Sequence, residues 1–100
     1  MTEFRIGSAA EATVMVMHTN TAKAMKSGSL DVFATPALVA LMEQAACNLV
    51  EPLLDEDTTS VGISLNISHD AATAVGRRVT AKAVLVGVDG RKLSFKLTAS

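Results

Sequence analysis

Three side chains of types that can move protons stand at suggestive places in this sequence: Thr35, Glu43 and His69. Glu43 lies in residues 36–50, a run that is apolar almost all the way round a helix. A helix with no polar stripe is normally enclosed by its domain. An ionisable group there must be paired, neutralised or used. The plain alternative is a carboxylate at the helix rim, hydrogen-bonded and silent. His69 ends a segment, 61–69, in which Val61, Ile63, Leu65 and Ile67 alternate with Gly62, Ser64, Asn66 and Ser68. It continues the apolar parity and so points to the core side of a strand. Its plain alternative is a satisfied structural imidazole. A carboxylate and an imidazole are also the usual pair for general acid–base work.

The elements that must position these groups follow from local pattern. Residues 11–17 read as a first strand, with Val14 and Val16 on one face and Met15 and Met17 on the other. Residues 18–31 are polar and small, with Lys23, Lys26, Ser27, Gly28 and Ser29. They form a long connection that serves either as a lid over a site or as a plain loop. Thr35 is a favoured helix N-cap and Pro36 a favoured first helical residue, which starts the helix there. Leu38, Leu41, Met42, Ala45, Leu49 and Leu53 keep helical spacing, and Asp55-Glu56-Asp57 closes the segment as solvated loop. Residues 78–87 and 91–100 form a hairpin. A three-residue loop, Val88-Asp89-Gly90, sets Val79, Ala81, Ala83 and Leu85 opposite Ala99, Leu97, Phe95 and Leu93. That keeps one apolar face continuous, and it needs Gly90 in the left-handed conformation. Strand, loop, apolar helix and three further strands predict an α+β fold, a twisted antiparallel sheet around one helix.

Composition narrows the function. One hundred residues make one domain, 1–100. Hydrophobic residues are 49% and charged residues 19%, against about 25% charged in an average domain. Mean hydropathy is +0.35. This apolar surplus on a small domain predicts a subunit interface, and hence a homodimer or a higher oligomer. Nine basic and ten acidic residues are mixed, with three aromatics, all Phe, which gives no support to nucleic-acid binding. The single Cys47 forms no disulfide framework, fits a reducing cytoplasm, and reads as a small hydrophobe. Residues 1–7 have no apolar run of signal-peptide length, and no apolar stretch reaches the roughly 20 residues of a membrane span. No Cys, His or carboxylate spacing points to zinc or iron.

The string Val32-Phe33-Ala34-Thr35-Pro36, continuing through Leu41-Met42-Glu43-Gln44, resembles the helix of hot-dog fold thioesterases in their fluoroacetyl-CoA thioesterase-like branch. The likeness runs on through Ser60-Val61-Gly62, Ser68-His69-Asp70-Ala71-Ala72-Thr73 and Val75-Gly76. It reaches the hairpin at Asp89-Gly90-Arg91, so that it spans residues 30–99. Thr35, Glu43 and His69 stand at the spacings of that branch's catalytic threonine, glutamate and histidine. The resemblance implies a hot-dog domain that hydrolyses a small acyl-CoA thioester, with coenzyme A as part of the substrate and no separate cofactor. Glu43 would attack the carbonyl or serve as base for water, His69 would shuttle the proton, and Thr35 would position carboxylate or substrate. Phe33 and Ala37 would meet the substrate, Ala37 through its backbone N–H, since Pro36 has none. Arg77 and Arg78, with Lys23 and Lys26, are the cations available to the phosphates.

Geometry adds a constraint. Thr35 and Glu43 are eight residues apart on one helix, about 12 Å along its axis. Either they flank a substrate or the working set draws on two subunits, and proteins of this resemblance place their sites at a dimer interface. Two departures stand out. The branch member that gives the name has an aromatic-rich lid, whereas residues 24–29 here hold no aromatic, so an acyl group other than fluoroacetyl is expected. The family also has a further strand after the position of Ser100, so the domain is expected to lack its last strand. The rival readings are a non-catalytic acyl-CoA or acyl-carrier binding module and a hydratase on the same fold.

Overall fold

The computed structural model describes residues 3–100. Met1 and Thr2, which begin the stretch read above for a signal peptide, lie outside the described residues. The chain forms β1 (Ala9–Met15), a 3-10 turn (His18–Asn20), α1 (Thr35–Val50), a second 3-10 turn (Glu51–Leu53), β2 (Arg78–Asp89) and β3 (Lys92–Ala99). The strands make one antiparallel sheet in the order β1-β2-β3, and α1 packs on one face of it, an α+β architecture.

The core follows the apolar spacing of α1. Leu38, Leu41, Met42, Ala45 and Leu49 are buried, three or four residues apart along one face. They meet Ala12 on β1 and Val79, Ala81, Ala83 and Leu85 on β2. Alanine at three sheet positions leaves room for the leucines, and each buried leucine stabilises the fold by about 1.5–3 kcal/mol. β1 ends at Met15, two residues short of the expected strand, yet the expected facing continues past its end: Val16 is buried, whereas Met15 and Met17 are exposed.

The opposite face of α1 corrects one expectation. Pro36, Ala40, Glu43, Gln44 and Asn48 are exposed. The domain therefore encloses only one side of this helix, because a three-stranded sheet covers only one side.

Two further expectations are corrected. Residues 61–69 do not form a strand; among the described residues, 58–70 carry no helix, strand or turn. A strand needs a ladder partner, and this segment finds none among the described residues. It runs instead as a strap with Val61, Ile63 and Leu65 exposed at 80%, 72% and 43%. The hairpin keeps the expected apolar face but shifts by two residues: Leu85 pairs with Phe95, Ala83 with Leu97 and Ala81 with Ala99. A bulge between Leu85 and Gly87 absorbs one residue, and Asp89 pairs with Lys92 around a two-residue turn, Gly90-Arg91. Gly90 has φ +60°, and glycine first in a two-residue loop is the type II′ pattern. The burial argument fixed the parity of the ladder. The bulge, which parity does not encode, moved the turn.

Candidate active site

Backbone pairing decides where α1 begins. Phe33 bridges to Thr21 and Val32 to Ala74. Phe33 N–H donates to Thr73 O at 2.9 Å and Ala34 N–H to Asn20 O at 3.0 Å. Residues 32–34 are thus held extended between two neighbours, and the helix starts directly after them. Ala34 is its N-cap, with φ −73° and ψ 141° and no side-chain cap hydrogen bond. Thr35, expected as the N-cap, is instead the first helical residue. Its hydroxyl is free for another partner and takes one: Thr35 Oγ1 lies 2.7 Å from His69 Nδ1.

The strap delivers His69. Ile67 packs against the core cluster, and Ser68 Oγ donates to Asp70 Oδ2 at 3.0 Å. His69 itself is half-buried. It thus has the inward direction that the alternation gave it, although no strand holds it. Thr35, His69 and Asp70 line a cavity of about 190 Å3 with Ala22, Ser27, Val32, Phe33, Ala71 and Ala72. A second cavity of about 340 Å3 lies beside it, lined mainly by Val14, Met25, Phe33, Ala37, Ala40 and Leu41, with Asn20 and Gln44. Phe33 is 2% exposed and forms a wall of both.

The long connection is neither shapeless nor open. Ala22 N–H donates to Val32 O (2.8 Å), Lys23 N–H to Leu30 O (3.1 Å) and Ser27 N–H to Ala22 O (2.9 Å). Buried Thr21 braces its base, accepting from Ala24 N–H at 3.1 Å and donating to His18 O at 3.3 Å. Residues 21–33 are therefore a self-bonded lobe, and its members form walls of both cavities.

Glu43 stands apart. It lines neither cavity, and its carboxylate lies over the strap at Gly62: a methyl group at Gly62 would sit 2.6 Å from Glu43 Oε2. One protomer therefore brings Thr35 and His69 together and leaves Glu43 two helical turns away. Phe33 lines both cavities and Ala37 only the second. Arg77 and Arg78 are exposed at the start of β2 and line neither, whereas Lys23 and Lys26 are exposed on the lobe itself. Sequence reading missed Asp70, Ser27 and Gly62. Gly62 had a signal, a glycine on a strand-like alternation with no turn to explain it.

Chemically, the Thr35 contact occupies Nδ1 and leaves Nε2 as the nitrogen available to a reactant. A proton on Nε2 can be given to a leaving group; a lone pair there can activate water. Among the described residues, no group of three or more His, Cys, Asp or Glu is placed to hold a metal ion.

Comparison with known proteins identifies the family. The family model of fluoroacetyl-CoA-specific thioesterases matches residues 16–100. The fluoroacetyl-CoA thioesterase of Streptantibioticus cattleyicolor is 41% identical over 69 residues, which are 69% of this chain and 50% of that protein. The chain's match thus spans about half the length of this curated relative. A solved structure of fluoroacetyl-CoA thioesterase superposes with a TM-score of 0.93 at 30% identity, covering 99% of this chain and 78% of that one. A threonine-to-serine variant of that enzyme has been solved in complex with acetyl-CoA. A hot-dog-like protein from Thermanaerovibrio acidaminovorans, 22% identical with a TM-score of 0.86 over 96% of this chain and 71% of its own, supports the fold alone. The chain has the hot-dog fold and belongs to the fluoroacetyl-CoA-specific thioesterase family.

Proposed function

We propose that this protein hydrolyses a small acyl-CoA thioester, with Thr35, His69 and Glu43 as its working residues. The observation that carries the reading is the 2.7 Å contact between Thr35 Oγ1 and His69 Nδ1 at the wall of a cavity, in a member of a thioesterase family. His69 Nε2 protonates the departing thiolate, and Glu43 either attacks the carbonyl carbon or takes a proton from the attacking water. The acyl group differs from fluoroacetyl. In support, the lobe contributes Ala22, Met25 and Ser27 to the cavities and no aromatic before Phe33.

The active form in this reading is a homodimer that draws Glu43 from one copy and the Thr35–His69 pair from the other. Two observations support it. The chain exposes 6921 Å2, against about 5,400 Å2 for a compact monomer of its mass, so that roughly 1,500 Å2 awaits cover. Three of the exposed large apolar side chains, Val61, Ile63 and Leu65, also lie on the strap that Glu43 touches at Gly62. A cytoplasmic location belongs to the same reading, supported by the lone Cys47; no helix among the described residues is long and apolar enough to cross a membrane.

The test is a panel of acyl-CoA esters of increasing size with release of free thiol monitored, repeated with Glu43→Gln. Turnover of a small ester other than fluoroacetyl-CoA, falling a hundredfold or more in the variant, is expected. No turnover across the panel, with acyl-CoA affinity retained, would replace the reading by a binding module.

A further inference from the structure

We propose that Gly62 is a positioning residue for Glu43, its missing side chain being the space in which the carboxylate is held. This rests on the reading of Glu43 as a working residue, and it names the element that aims it.

Glycine is usually retained for its backbone, and Gly7, Gly76 and Gly90 in this chain all have positive φ. Gly62 does not. An L-residue fits its backbone, so the reason for glycine must be steric. A Cβ built on Gly62 meets no atom within 4 Å except Glu43 Oε2 at 2.6 Å and Glu43 Cδ at 3.7 Å. Real Cβ atoms do not approach oxygen that closely, so any side chain at 62 must displace the carboxylate. The strap thus touches the working helix at two places: His69 against Thr35, and Gly62 against Glu43. It sets the imidazole with one contact and limits the carboxylate with the other. A glutamate on an exposed helix face samples several rotamers; the bare backbone at Gly62 leaves room for the one that turns the carboxylate toward the strap, and a side chain there would exclude it. Catalysis is sensitive to such placement, since about 1 Å of misplacement can cost up to a hundredfold in rate.

The experiment uses the full chain and the ester that the panel turns over fastest. Gly62→Ala should lower kcat by about 10- to 100-fold with KM changed less than about twofold. Its melting temperature should stay level or rise, because alanine at a compatible backbone restricts the unfolded chain. A merely structural role would show the reverse, a lower melting temperature with kcat retained. The second measurement is a rescue. Glu43→Asp withdraws the carboxylate by one methylene, so it should impair the wild type yet raise kcat in the Gly62→Ala background. Wild-type kcat in Gly62→Ala, where Glu43→Gln is inactive, overturns the inference and leaves the role of Glu43 standing. Rescue failing in the double variant overturns it as well. Wild-type turnover in Glu43→Gln removes the reading of Glu43 itself, and the inference with it.

Discussion

Thr35 Oγ1 and His69 Nδ1 are 2.7 Å apart although 34 residues separate them in sequence, and the contact exists because Ala34, not Thr35, caps the helix. A threonine spent on its own helix could not orient the imidazole. Thr35→Val keeps the shape and removes the hydroxyl. Turnover should fall by about tenfold, the equivalent of roughly 1.4 kcal/mol, while Thr35→Ser stays close to wild type. Thermal stability should barely change in either, since no cap is lost. A clear drop in melting temperature for Thr35→Val would return the residue to a structural role.

The separation of Glu43 from that pair makes subunit sharing measurable. Glu43→Gln and His69→Ala should each be inactive alone. Mixed after unfolding and refolded together, they form heterodimers in which one of two sites has both intact groups. Random pairing then restores about 25% of wild-type activity in a symmetric dimer. If each protomer works alone, every heterodimer site is dead and the mixture stays inactive.

The strap offers a second handle on assembly. Ile63 is 72% exposed in the single chain, so a lone protomer would accept Ile63→Glu at little cost in stability. A protein that pairs through this segment would not. Sedimentation should show Ile63→Glu shifted to the mass of one chain, with helix content retained and turnover lost. An unchanged dimeric mass would move the interface elsewhere.

The reach of sequence reading can be judged residue by residue. The buried face of α1 was legible, because apolar spacing encodes burial directly; the same kind of spacing failed at Val61, Ile63 and Leu65, which are exposed. The contact between Thr35 and His69 was not legible, because it depends on bridges from residues 32–33 to 21 and 74. No local pattern announces such bridges. The strand expected at 61–69 failed for a related reason: alternation marks a segment fit for a sheet, but only a neighbouring chain segment makes it one. The exposed side of Glu43 was hidden because an all-apolar helix predicts enclosure without saying which molecule supplies it.

Lys23 and Lys26 flank lobe residues that line the cavities, whereas Arg77 and Arg78 line neither. The coenzyme's phosphates should therefore depend more on the lysines. Lys23→Gln combined with Lys26→Asn removes both charges, and asparagine tolerates the left-handed backbone of Lys26, φ 59°. KM should rise several-fold with kcat unchanged and with a weaker dependence on salt. The matching Arg77→Gln, Arg78→Gln variant should change KM less. The opposite ranking would move the phosphate site to the start of β2.

The hairpin gives a test of stability that leaves the site alone. Gly90 takes φ +60° as the first residue of a two-residue turn, and a β-branched residue there clashes with its own backbone. Gly90→Val should cost about 1–3 kcal/mol, which lowers the melting temperature of a 100-residue domain by roughly 4–8 °C per kcal/mol. Gly90→Asn, which visits the left-handed region readily, should cost much less. If the turn were instead the three-residue Val88-Asp89-Gly90 loop, Gly90 would still need positive φ, so this variant alone does not separate the two. The bulge does. Gly87 stands opposite Ser94, and a Cβ built there already meets Ser94 Cβ at 3.4 Å, in contact, so that the two further methyl groups of valine would crowd it. Gly87→Val should therefore destabilise in the observed register, whereas in the three-residue register position 87 lies opposite Arg91, away from Ser94. A Gly87→Val hairpin as stable as the wild type would overturn the observed pairing.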